Sequence, residues 1–254
     1  MRVPLVLLPG MMCDERLFAP QVLSLSDIAD IYVAGITRRR TVDALAGEVL
    51  AEVPFERFAL GGLSMGGIVA LRVVAAAPER VTGLALLDTN HLAETPERQA
   101  LRQPQINRVC AGDLRGLLIG EMKPNYLGPP HRDNHQILDL VLRMGLELGP
   151  GVFENQSLAL RDRPDSTDVL RRFKGPALVL CGQFDRLCPV ERHQAMRELM
   201  PSAELLVVEG AGHLTTLEEP EAVNSALRHW LGRVGEYADS RATNGHPAPV
   251  RSVS

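Results

Sequence analysis

The chain has 254 residues, enough to bury a substantial core in one domain that carries an insertion. Apolar residues make up 45% and charged residues 23%, a balance that excludes a chain disordered throughout. The formal net charge of −4 gives no electrostatic reason for a nucleic-acid or anionic-membrane partner, and neither is expected.

In chain order, residues 3–8 predict a buried strand stopped by Pro9-Gly10. The run is too short for the apolar core of a signal peptide or for a membrane span, so a cytoplasmic location is expected. Residues 30–36 predict a second strand. The basic run Arg38-Arg39-Arg40 that follows has no neighbouring aromatics and reads as a solvated loop. From 41 to 53, apolar residues at Val42, Leu45, Ala46, Val49 and Leu50 have helical spacing, with Thr41 as N-cap. Residues 57–63 predict a third strand. Residues 65–77 are apolar almost all round, which predicts a buried helix stopped by Pro78.

The alternation resumes with strands at 83–87, 176–181 and 204–208, the last two each followed by a helix. Strands alternating with helices imply a mostly parallel sheet covered on both faces, an α/β fold. Ligands of such sheets sit at the carboxyl ends of the strands, so chemistry belongs to the loops that follow them. Residues 89–174 contain no clear strand but carry helical patterns such as Ile137, Leu138, Val141 and Leu142, and read as a helical cap insertion. The core is then 1–88 and 175–233, and 234–254, without periodicity, reads as a disordered tail. Cys13, Cys110, Cys181 and Cys188 match neither a redox nor a zinc spacing, and are expected to be reduced.

The residues that carry chemistry lie at three strand ends. Gly62-Leu63-Ser64-Met65-Gly66 sits between a predicted strand and a predicted helix. A sharp turn there requires small residues two positions either side of the serine. It also puts the hydroxyl at a helix N-terminus, where partial positive charge favours a developing alkoxide. A serine needs a base, and the base needs an orienting group. Asp185, in Gly182-Gln183-Phe184-Asp185, and His213, in Gly210-Ala211-Gly212-His213, supply both in the chain order Ser, Asp, His. An oxyanion hole requires the backbone N–H after the nucleophile, from Met65, and one from the loop after the first strand. Met11 is the candidate for the second donor, with Met12 behind it. His131 and His135 are four apart, but no third ligand and no HExxH glutamate accompany them, and they read as cap surface. The methionines Met11, Met12, Met65, Met122 and Met144 are candidates for an adaptable acyl pocket or for core.

Together these residues resemble the α/β-hydrolase superfamily, specifically its small bacterial serine esterases with a helical cap. The resemblance covers residues 1 to about 233 and rests on Leu7-Leu8-Pro9-Gly10, Gly61-Gly62-Leu63-Ser64-Met65-Gly66-Gly67, Gly182-Gln183-Phe184-Asp185 with Pro189, and Gly210-Ala211-Gly212-His213. It implies Ser64 as nucleophile, Asp185 as acid, His213 as base, and the Met11 and Met65 amides as oxyanion donors. It implies hydrolysis of a small-molecule ester through an acyl-serine, with no metal or organic cofactor. Many members have His-Gly where this chain has Pro9-Gly10. The chain starts at what resembles the family's third strand, so the N-terminal strands are expected to be missing. Some relatives carry the acid after the strand that here ends Leu87-Asp88, which makes Asp88 the alternative to Asp185. The same triad also serves carbon–carbon bond, lactone and thioester hydrolases, and some noncatalytic receptors on this fold retain it.

Overall fold

The computed structural model describes residues 2–244. Strands β1 (Val3–Leu8), β2 (Ala29–Val33), β3 (Phe58–Leu63), β4 (Val81–Leu87), β5 (Ala177–Gly182) and β6 (Ala203–Val208) form one sheet, ordered β2-β1-β3-β4-β5-β6. Every neighbouring pair is parallel. Parallel strands need crossovers, and the crossovers here are helices that bury both faces of the sheet. This is why β3, β4 and β5 read as continuous apolar runs: all of their residues are buried.

Successive side chains leave a strand on opposite faces. Val6, Leu8, Leu60, Leu84 and Val179 point to the face covered by helices α2 (Val42–Glu52), α3 (Met65–Ala76) and α8 (Val190–Leu199). Leu5, Leu7, Ala59, Leu87 and Leu180 point to the other, covered by α1 (Ala19–Leu25) and α10 (Pro220–Asn244), with the single-turn α9 (Thr215–Glu218) packed between them. The N-cap expected of Thr41 is present, its hydroxyl accepting the Ala44 N–H at 3.2 Å. The basic run Arg38-Arg39-Arg40 is exposed and ion-paired to Glu48, Glu52 and Glu154. All four cysteines are free thiols.

Between β4 and β5 the chain forms α4 (Pro96–Cys110), α5 (Leu114–Leu117), α6 (His135–Arg161) and α7 (Thr167–Arg172), with α5 joined to α6 by single helical turns at Leu118–Met122, Lys123–Asn125 and Pro129–His131. Gly149, at φ 81°, breaks α6 ahead of Pro150, whose ring removes a helical donor. Ile106, Leu117 and Phe153 from these helices bury Met12, at the end of the β1 loop. The helical segment is thereby fastened to the rim of the sheet.

Two expectations need correction, and one element had none. The 7-residue α1 was not expected from the sequence. The second strand stops at Val33 rather than 36; beyond it only the Ala34 N–H continues the ladder, to the Leu7 carbonyl at 3.0 Å. The expected tail from 234 is helical to Asn244, because Val234 is buried beside Gly83 and Trp230. The remaining part of that tail, 245–254, lies outside the described residues. Among the described residues, no helix is long and apolar enough to cross a membrane.

Candidate active site

Ser64 stands between the last residue of β3 and the first of α3, with φ 56° and ψ −117°. A non-glycine residue held there is strained by roughly 1–3 kcal/mol, and the surroundings must enforce it. They do so through the backbone. The Ser64 N–H donates to the Leu87 carbonyl at 2.9 Å, and its carbonyl accepts the Thr89 hydroxyl at 2.6 Å and the Gly67 N–H at 3.0 Å. The flanking glycines are sterically required. A Cβ on Gly62 would stand 2.3 Å from the Gly66 backbone, and one on Gly66 would stand 1.9 Å from the Leu8 carbonyl. The spacing read in the sequence is thus that of two backbones in contact across a turn.

The three expected side chains come together. His213 Nε2 lies 2.9 Å from Ser64 Oγ, and His213 Nδ1 lies 2.8 Å from Asp185 Oδ2. The other Asp185 oxygen accepts the Leu187 N–H at 2.8 Å and the Cys188 N–H at 2.9 Å, so the carboxylate is held from both sides. Asp185 and His213 are buried. Burial alone disfavours the imidazolium. The charge and hydrogen bond of Asp185, helped by Asp88 and Glu218, outweigh it and hold the His213 pKa above its ordinary value.

Asp88, the alternative acid, is committed elsewhere. Its carboxylate accepts the Gly182 N–H at 2.9 Å and the Thr215 hydroxyl at 2.5 Å, and it makes no hydrogen bond to His213. Burial, then the nearby Asp185 charge, push its pKa well up. It ties the loop after β5 to that after β6.

Among the amides, the Met12 N–H is taken by the Gln156 side chain at 2.8 Å. The Met11 and Met65 N–H groups have no acceptor among the described residues. Both residues, with Ser64 and His213, line a cavity of about 370 Å³ under the helical segment. Of the five methionines singled out, Met11, Met65 and Met122 line this cavity, whereas Met12 and Met144 are core.

Three supporting residues gave no signal in the sequence. The Glu218 carboxylate accepts N–H groups from Gly212 at 2.9 Å, Leu214 at 3.0 Å and Gly128 at 2.7 Å, bracketing His213 and joining it to the insertion. The Tyr126 carbonyl accepts the His213 N–H at 2.6 Å, and its ring stacks beside the imidazole at 6.3 Å between centroids. His193 Nε2 accepts the Thr89 N–H at 3.0 Å, behind the serine. Each depends on contacts between distant segments, which no local pattern announces.

His131 and His135 do not share a helix face. His131 sits in a turn, its ring 2.8 Å from Glu219, and His135 begins α6, exposed. Among the described residues, the group of metal-ligating type is Asp185, Cys188 and His213, with ligand atoms within 4.8 Å of one another. Asp185 and His213 are already bonded to each other. Burial, reinforced by the Asp185 and Asp88 charges, pushes the Cys188 thiol well up, which opposes the thiolate a metal requires.

The chain is similar to known proteins along most of its length. The family profile described as "Alpha/beta hydrolase family" matches residues 6–226. The structure of a thermophilic esterase from Thermogutta terrifontis, solved with malate bound, superposes with a TM-score of 0.83 at 31% identity, covering 91% of this chain and 90% of that one. The pimeloyl-[acyl-carrier protein] methyl ester esterase of Xanthomonas campestris is 27% identical over 242 residues, 89% of this chain and 94% of that protein. The dihydrolipoyllysine-residue acetyltransferase component of the acetoin cleaving system of Pseudomonas putida is 29% identical over 199 residues, and the matched region spans 51% of its length. With its parallel sheet, its helices on both faces and the extent of these matches, the chain belongs to the alpha/beta hydrolase family.

Proposed function

We propose that the protein is a serine hydrolase that cleaves a small carboxylic ester through an acyl-serine intermediate. The observation that carries this reading is the unbroken hydrogen-bond line Ser64–His213–Asp185 beside two unpartnered amides. The methyl ester esterase and the thermophilic esterase among its relatives support an ester carbonyl as the point of attack.

In the first half-reaction, His213 Nε2 takes the Ser64 proton as Oγ bonds to the ester carbon. The carbonyl electron pair moves to oxygen, and the Met11 and Met65 N–H groups stabilise the oxyanion. Collapse breaks the bond to the alcohol oxygen, which receives the proton from His213. Water then attacks the acyl-serine, giving its proton to His213, and the acid leaves as Ser64 regains its hydrogen. Asp185 stays ionised throughout and holds the imidazole in the tautomer with its proton on Nδ1.

The test is labelling by a fluorophosphonate probe together with hydrolysis of p-nitrophenyl esters. The wild type should do both, and Ser64→Ala should lose both, with turnover falling by about 10⁴–10⁶. A folded wild type that neither labels nor hydrolyses any ester would instead be a noncatalytic binding protein.

A further inference from the structure

Helix α4 lies along the cavity with Arg98, Leu101, Arg102 and Gln105 on its wall, the i, i+3, i+4, i+7 spacing of one helix face. Two arginines one turn apart repel each other, and Arg163 adds a third cation to the same wall. A single buried carboxylate, Glu94, is set among them. It accepts from Arg163 at 3.0 and 3.1 Å and from Arg102 at 2.9 Å. Arg163 is held at all three of its nitrogens, since its Nε also donates to the Leu92 carbonyl at 3.0 Å. The other acid on the wall, Glu121, is neutralised from outside by Arg108 at 2.6 Å, and Gln105 donates to it at 2.8 Å.

Two donor sets are left over. Arg98 makes no ion pair and no side-chain hydrogen bond among the described residues. Arg102 turns Nη1 to the Met11 sulfur at 3.8 Å, a weak acceptor on the turn that carries the Met11 amide. Three cations therefore face one committed buried anion. Burial lowers the Arg163 pKa, Glu94 opposes that, and Arg102 and Arg98 add to it. Arg98 without a side-chain partner, beside an Arg102 that shares its one carboxylate with Arg163 and turns Nη1 to a weak acceptor, matches a planar anion that accepts two N–H groups at once.

We propose that Arg98 and Arg102 form a carboxylate-binding subsite, so that the substrate is an ester carrying a free carboxylate group. This rests on the serine-esterase reading for its chemistry but not for its test. Binding is measured by calorimetry on Ser64→Ala, which cannot turn over. The probes are monomethyl glutarate and 4-acetoxybutanoate, with the carboxylate on the acyl and alcohol sides respectively. Each is compared with its uncharged methyl ester.

At low salt at least one charged probe should bind about ten-fold tighter than its methyl ester, an advantage of about 1.4 kcal/mol that shrinks as salt rises. Adding Arg98→Gln should remove most of that advantage and Arg98→Glu should reverse it. Arg98 is exposed and unpaired, so both variants should fold, as circular dichroism would verify. Equal binding of charged and methylated probes overturns the subsite, as does an advantage that survives Arg98→Glu. A wild type inert to fluorophosphonate would count against the esterase reading alone, because the calorimetry still decides the subsite.

Discussion

Gln156 holds the amide of Met12: its side-chain oxygen accepts the Met12 N–H at 2.8 Å while its side-chain nitrogen donates to the Ile36 carbonyl at 3.0 Å. The turn it clamps is closed by the Cys13 N–H on the Gly10 carbonyl, and Met12 takes φ 57° within it. Both Gln156 and Met12 are buried. Gln156→Leu would leave a buried donor and a buried acceptor unpaired, at about 1–3 kcal/mol each. Chemical denaturation should register a loss of about 2–4 kcal/mol. Release of the turn should also lower kcat by about ten- to a hundred-fold with KM little changed, since the same turn carries the Met11 amide, the proposed oxyanion donor. Unchanged kcat in a folded variant would separate Gln156 from the oxyanion turn.

The pH profile should carry the signature of His213. The base must be neutral, so kcat/KM rises with pH through its pKa, which Asp185 holds above the ordinary value of about 6.5. Asp185→Asn removes the largest charge that opposes burial and leaves only Asp88 and Glu218 against it. The acid limb should then move to lower pH, while kcat falls by about 10⁴. An acid limb that stays in place would assign it to another group.

His193 makes the fold sensitive to acid. Burial pushes its pKa down to about 4, and its Nε2 can accept the Thr89 N–H only while unprotonated. A folded pKa below the unfolded value of about 6.5 stabilises the protein above that pH. The contribution is lost as pH falls from about 6.5 to about 4, and amounts to roughly 3 kcal/mol over the whole window. Urea unfolding measured at intervals between pH 7 and 4 should record that loss. In His193→Gln this part of the pH dependence should flatten.

Two glycine substitutions should act in opposite directions. Gly66→Ala drives a methyl group into the Leu8 carbonyl, a backbone atom that cannot yield, and should cost about 3 kcal/mol or more together with all esterase activity. Gly47, exposed within α2, has nothing within 4 Å of an added Cβ, so Gly47→Ala should stabilise by about 0.5–1 kcal/mol. Thermal melts of the two variants decide both.

The cavity of about 370 Å³, walled by Met11, Leu63, Ile68, Met122 and Leu187, suits a short acyl chain. Among uncharged p-nitrophenyl esters, acyl groups of two to six carbons should give the highest kcat/KM. A clear preference for chains above ten carbons would contradict this.

Much of the site was legible because its constraints are local. Ser64, Asp185 and His213 lie at or in the turns just after three parallel strands, and apolar runs ending in glycine-rich turns mark such strands in a parallel sheet. Gly62 is fixed by a contact across four residues, short enough to appear as a motif, whereas Gly66 is fixed by the Leu8 carbonyl on β1. What stayed hidden is what distant segments do to one another. Glu218 reads as an ordinary surface acid of a terminal helix, and its three amide partners lie up to 90 residues away. Gln156 sits in an amphipathic helix, and only the fold brings it to Met12. Helix α10 was cut short because its last turns are polar, whereas Val234 is held by packing on β4.

The clamp at Gln156 also constrains how molecules come and go. Asn155 beside it donates to the Thr37 carbonyl at 3.1 Å, so the second half of α6 is moored to the loop after β2. A hatch that swung open at that end would dismantle the Met11 turn each time it moved. An opening at the opposite bank, where α4 carries exposed Leu101 and Arg98 at the cavity rim, would leave that turn intact. A molecule entering there would pass the arginines before it met the serine.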